Sequence, residues 1–82
     1  MSYEKVKQAK KTIIGTKQAV KAMKKRLVKE VYIALDVDEK IIELVRLTAQ
    51  ENNVLIHYVE SKVDLGKACG LRVSASVVAI TV

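Results

Sequence analysis

The sequence predicts an α/β fold. Short β-branched runs alternate with amphipathic, charge-rich segments, the order expected of a sheet with helices packed on it. Val31-Tyr32-Ile33-Ala34-Leu35 is apolar or aromatic throughout, which suits a strand covered on both faces. Half of the 82 residues are apolar, proline is absent and only three glycines occur, so one domain over residues 1–82 can build a regular core without staples.

Each element has a local cause. Met1 to Lys11 places Tyr3, Val6 and Ala9 at helical spacing, with Ser2 in position to cap, and predicts a short first helix. Thr12-Ile13-Ile14 predicts a short strand ended by Gly15. From Thr16, Val20, Met23 and Leu27 form a core stripe, so a second helix is expected to end near Arg26 or Leu27. After the Val31–Leu35 strand, Asp38 can cap a third helix with a wide apolar face from Ile41 to Thr48, ended by Asn52-Asn53. Val54 to Val59 predicts another strand. Ser61 to Asp64 has the S-x-x-D capping form and opens a helix through Cys69, with Gly70 as its C-terminal stop. Val77 to Val82 is a last β-branched strand. Strands and helices alternate, so a parallel or mixed sheet should lie between helical layers.

The net charge is +6, and its distribution is uneven. Residues 1–29 hold ten Lys/Arg against Glu4 alone, whereas residues 30–60 hold Lys40 and Arg46 against seven acids. Such segregation is the footprint of a polyanion partner, although a solvated lysine-rich surface would give the same count. No run approaches bilayer length, the N-terminus has no apolar signal core, and the lone Cys69 fits a reducing, cytoplasmic setting.

Nothing specifies an enzyme. His57 is the only histidine and stands without a converging acid or nucleophile in the sequence. Cys69, beside a glycine in an apolar helix, suits a small core position. Asp36, Asp38 and Glu39 have the ordinary composition of a turn and helix start. No phosphate-loop pattern, metal set or cofactor motif is present.

Gly15-Thr16-Lys17-Gln18-Ala19-Val20-Lys21 is more informative. Gly15 and Thr16 let a backbone approach a helix start whose free N–H groups attract phosphate or the acceptor edge of a base. Lys17 and Lys21 project from one face, and Gln18 offers both donors and an acceptor for a base edge. An ordinary helix start with solvated lysines remains the alternative reading of this segment.

Ile14-Gly15-Thr16-Lys17-Gln18-Ala19-Val20-Lys21-Ala22, followed by Leu65-Gly66-Lys67-Ala68-Cys69-Gly70, strongly resembles the kink-turn RNA-binding ribosomal protein superfamily. This is the family of the archaeal large-subunit protein "L-seven-Ae", and the likeness is greatest to its small bacterial, ribosomal-protein-like members. The resemblance covers essentially the whole chain. It implies a three-layer α/β/α sandwich with a four-stranded mixed sheet. The implied ligand is a kink-turn, an internal loop whose tandem sheared G·A pairs bend RNA sharply. The natural RNA could be ribosomal RNA, a ribonuclease P-like RNA, a riboswitch or another non-coding RNA.

In the family a Gly-x-Asn-Glu-x-x-Lys pattern reads those pairs. This chain keeps Gly15 and Lys21, but carries Lys17 for the usual Asn and Gln18 for the usual Glu. Gln18 can still accept from a guanine amino group, without charge assistance. Lys17 can donate to guanine or phosphate but cannot supply an amide's acceptor. The resemblance also assigns the loop from Val59 through Val63, with Glu60, Ser61, Lys62 and Val63, to cover a flipped-out base. Lys10, Lys11, Lys24 and Lys25 are expected to add electrostatic support. Regular A-form RNA has a major groove too narrow to read, so an opened, kinked loop suits a helix tip. The expectation is a monomeric, non-catalytic RNA-binding protein without a cofactor. The rival readings are a protein-interaction or ribosome-assembly module using the acidic helix with Glu39, Glu43 and Glu51, and an enzyme acting on RNA.

Overall fold

Period-two alternation along one strand organises the molecule. The computed structural model describes residues 11–82. The helix expected from Met1, and Lys10 with it, fall outside the described residues. The elements in chain order are β1 (Thr12–Ile14), α1 (Thr16–Lys24), β2 (Val28–Ala34), α2 (Glu39–Glu51), β3 (Leu55–Val59), α3 (Lys62–Ala68) and β4 (Val77–Thr81). On β2, Val31 and Ile33 point to one face and pack with Ala19, Ala22 and Met23 of α1 and Val45 and Ala49 of α2. Tyr32 and Ala34 point to the other face and pack with Leu65 of α3, Val78, Ile80 and Ala75. Two separate apolar cores on opposite faces give the three-layer α/β/α sandwich. Burial on both sides is why β2 carries no charged residue from Val31 to Ala34.

The four-stranded sheet has the order β1-β4-β2-β3 and is mixed. β4 runs antiparallel to both neighbours, pairing Ile14 with Val78 on one side and Ile33 with Val77 on the other. β2 and β3 are parallel, with Ala34 opposite Val59. The carboxyl ends of β1, β2 and β3 and the amino end of β4 therefore meet at one end of the sheet. Among the described residues, no helix is long and apolar enough to cross a membrane.

Two boundaries differ from expectation by more than one residue, for one reason. α1 stops at Lys24 rather than near Leu27, and β2 starts at Val28 rather than Val31. Arg26 adopts a left-handed φ of 60°. Its N–H donates to Met23 O at 3.0 Å and the Leu27 N–H donates to Ala22 O at 3.1 Å, the paired bonds of a Schellman stop. Leu27, expected in the core stripe, is thus carried off the helix and is 48% exposed. The chain then enters the sheet early, because Glu30 and Tyr32 have partners on β3. His57 bonds Glu30 at 2.7 Å and stacks on the Tyr32 ring at 4.6 Å between centroids. His57 thus lies on the edge strand β3 with its side chain engaged by Glu30 and Tyr32.

Gly66 sets the position of the loop after α3. It is buried, and a Cβ there would overlap the Val73 carbonyl oxygen and press on Ser74 Cα at 3.1 Å. Gly66→Ala is expected to lower stability by about 1–3 kcal/mol, the usual cost of forcing extra volume into a packed site. Gly70→Asn, with nothing within 4 Å of its Cβ position and a φ of 77°, should cost well under half of that. Urea unfolding followed by far-UV circular dichroism measures both, and equal midpoints for Gly66→Ala and wild type would refute the packing account.

Candidate nucleic-acid interface

The start of α1 is built to stay open. Gly15 has φ 109° and ψ 148°, a backbone conformation essentially reserved for glycine. It lets the chain turn out of β1 while the Gly15 N–H donates to Val77 O at 2.9 Å and Gly15 O accepts from the Ala19 N–H at 2.9 Å. No side chain caps α1, and its first turn contains no acid. The other two described helices are treated differently. Asp38 caps α2 by accepting from the Lys40 N–H at 2.8 Å, and Ser61 caps α3 by accepting from the Asp64 N–H at 3.2 Å. Only α1, among the described helices, keeps both its first-turn amides and its positive dipole end uncompensated. Lys17, Gln18 and Lys21 are exposed around this tip, Thr16 is half-buried, and no atom lies within 4 Å of the Cβ position of Gly15.

A second wall stands across the start of β4. The Lys62 N–H donates to Asp36 Oδ1 at 3.0 Å, and Lys62 O accepts from the Ala75 N–H at 2.9 Å. The Ala34 N–H donates to Ser76 O at 2.9 Å. Residues 75–77 are therefore stitched to α1 through Gly15, to β2 through Ala34 and to the 61–63 turn through Lys62. This brings Gly15, Thr16, Lys17 and Gln18 to the same end of the sheet as Glu60, Ser61, Lys62 and Val63. Glu60 and Val63 are exposed, while Ser61 and Lys62 are half-buried. Open α/β sheets bind ligands at the carboxyl ends of their strands, and this is that end.

Sequence reasoning missed two contributors. The first is the Asp36 carboxylate, which holds the 61–63 turn. The second is the loop through Arg72, Val73 and Ser74, all exposed, with Val73 at 69%. It is fastened at Ala75 and lies against Gly66, so it forms a third wall beside the tip. A glycine inside a helical segment was the readable signal, since Gly66 weakens α3 unless another backbone must approach it.

The cations form a graded field. Lys21 is one helical turn from the tip, and Lys24 and Lys25 stand about 12 Å along α1 at 1.5 Å per residue. Residues 11–29 contain no acid. Lys11 is placed differently, at the far end of β1, where its carbonyl accepts from the Thr81 N–H. Four residue steps at about 3.3 Å each put it about 13 Å from Gly15, so its support is long-range. On α2, the Arg46 guanidinium is paired with Glu43 through both carboxylate oxygens, and this holds its pKa above the ordinary arginine value. Burial pushes the Cys69 thiol up, which disfavours the thiolate. Among the described residues, no three His, Cys, Asp or Glu side chains converge on a metal position.

Comparison with known proteins agrees with this architecture. Residues 2–82 match the model of the ribosomal protein L7Ae/L30e/S12e/Gadd45 family. A protein of Bacillus pumilus (strain SAFR-032) called "RNA-binding protein" is 52% identical over 80 residues, covering 98% of each chain. "RNA-binding protein YbxF" of Geobacillus stearothermophilus is 51% identical over the same share of each. Among solved structures, the "Giardia lamblia 15.5kD RNA binding protein" superposes with a TM-score of 0.78 at 31% identity over 92% of this chain. This chain spans 62% of that longer protein. The family match over residues 2–82, the half-identical relatives over 98% of the chain and the shared fold show that the chain belongs to the ribosomal protein L7Ae/L30e/S12e/Gadd45 family.

Proposed function

We propose that this protein is a non-catalytic, single-domain RNA-binding protein that recognises a kink-turn and stabilises its bent form. The observation that carries the reading is the uncapped, glycine-led tip of α1 set against the 61–63 and 72–74 segments across the start of β4. Family membership and the printed names of the relatives support RNA as the ligand class. Lys17, Gln18 and Lys21 then make the base and groove contacts, with Gly15 and Thr16 supplying close backbone approach. Ser61, Lys62 and Val63, with Arg72 and Val73 beside them, face the unstacked nucleotide. Glu60 is the one carboxylate of that turn and repels phosphate, which restricts the path of the strand. Binding the kinked conformer in preference to the extended one shifts the RNA population, so no covalent step, cofactor or second subunit is required.

The rival protein-docking reading keeps one specific support. Leu44 and Leu47 lie three residues apart on α2, 48% and 46% exposed, next to Glu43 and Glu51. Affinity capture with and without ribonuclease treatment separates the two: partners lost with the RNA belong to the RNA reading.

Lys21→Ala is expected to weaken binding to a kink-turn RNA by about 1–3 kcal/mol, measured by titration calorimetry at physiological salt. Replacing the G·A pairs by Watson–Crick pairs should leave only weak binding that falls steeply with salt. Equal affinity for the two RNAs would reduce the protein to a generic basic binder. Gln18→Glu restores a charged acceptor for a guanine amino group and should raise the G·A to Watson–Crick affinity ratio. An unchanged ratio would remove Gln18 from base contact.

A further inference from the structure

We infer that the interface continues from the tip of α1 down its β1-facing flank, where a hollow takes a sugar-phosphate unit of the same RNA strand. The inference rests on the RNA-binding reading and adds a subsite to it. Gln18, Lys21, Ala22 and Lys25 fall at i, i+3, i+4 and i+7, one stripe along α1. Ile13 of β1 and Leu27 of the following turn close the other side, leaving a hollow of about 290 Å³. This is at the bottom of the range for pockets that engulf small molecules, about 300–1,000 Å³, and it is shallow, so it suits a single unit of a passing chain.

The lining chemistry selects that occupant. Lys21 and Lys25 place two ammonium groups one helical turn apart on the rim, and Gln18 adds an amide. The floor is apolar, and Leu27 is 48% exposed there. A ribose presents an apolar edge between two anionic phosphates, so cations flanking an apolar floor match it. No carboxylate is among the residues lining the hollow. The hollow also shares Gln18 and Lys21 with the proposed base-reading tip, so a strand leaving the tip enters it directly.

A backbone feature points the same way. Three helices end in the same hydrogen-bond pattern, with Arg26, Asn53 and Gly70 in the left-handed position at φ 60°, 56° and 77°. Asparagine and glycine adopt that conformation readily; arginine does so at a cost. The exposed Arg26 adds a third cation next to Lys25 in the chain, outside the lining of the hollow. The Schellman bonds hold this strain in place, and strain of this kind clusters at functional sites.

The test uses the full chain and a kink-turn RNA whose two stems are shortened in turn to two base pairs. Wild type should lose about tenfold in affinity when one particular stem is shortened, the scale of one good contact. Leu27→Ala should weaken the long RNA about threefold to tenfold and leave the short one unaffected. Lys25→Ala should weaken the long RNA more than the short one, and lower the salt slope on the long RNA by about one. Arg26→Gly should raise the melting temperature yet weaken the long RNA, a pairing that simple loss of folding cannot produce. Equal effects of Leu27→Ala on both RNAs, or none on either, overturn the subsite. If stem length and Lys25 matter while the G·A pairs do not, the kink-turn reading fails and the subsite stands.

Discussion

The backbone at the start of β4 is the constraint on which the site depends. Ser76 and Val77 lie where β4 enters between β1 and β2, and their carbonyls accept from Ala34 and Gly15, each at 2.9 Å. Because β4 runs antiparallel to both neighbours, the loops leaving β1, β2 and β3 all emerge beside it. Three segments far apart in sequence are gathered by main-chain bonds that do not depend on side-chain identity. Apart from Asp36 and Ser61, whose side chains hold the 61–63 segment and cap α3, the side chains at that end are not needed for these bonds.

The helices differ in how their first turns are capped. α2 and α3 begin with side-chain caps and carry Glu39 and Asp64 in their first turns, which offsets the helix dipole and orphan amides internally. α1 has neither device, and its orphan amides stay available beside Lys17 and Gln18. The cost to α1 is offset from below, where Ala19, Ala22 and Met23 are buried at 6% exposure or less. Such an arrangement favours a polyanion over a neutral partner, because ammonium groups and the dipole end add in the same place.

Much of the fold was legible along the chain. The strand at Thr12–Ile14, the Asp38 and Ser61 caps, and the stops at Asn53 and Gly70 were each encoded by residue types with one strong local preference. The early end of α1 was not, because arginine has no such preference for the left-handed conformation that Arg26 adopts. The early start of β2 was equally hidden: Glu30 argues against a buried strand until its His57 partner on β3 is known. For the proposed site, Gly15, Lys17, Gln18 and Lys21 stood out in the sequence because glycine, amide and lysine cluster within seven residues. Asp36 and the 72–74 loop were missed because their roles exist only across the sheet end.

The sequence by itself determined the order of strands and helices, the two-faced burial of β2, and the concentration of positive charge before residue 30. These follow from periodicity, turn chemistry and composition, all properties of neighbours in the chain. Only the tertiary structure decided which loops share an end of the sheet, that Lys11 stands apart from the tip, and that Gly66 must be bare to admit the loop at Val73. Those facts depend on the reversed direction of β4 and on contacts between residues dozens of positions apart, and no local preference encodes them.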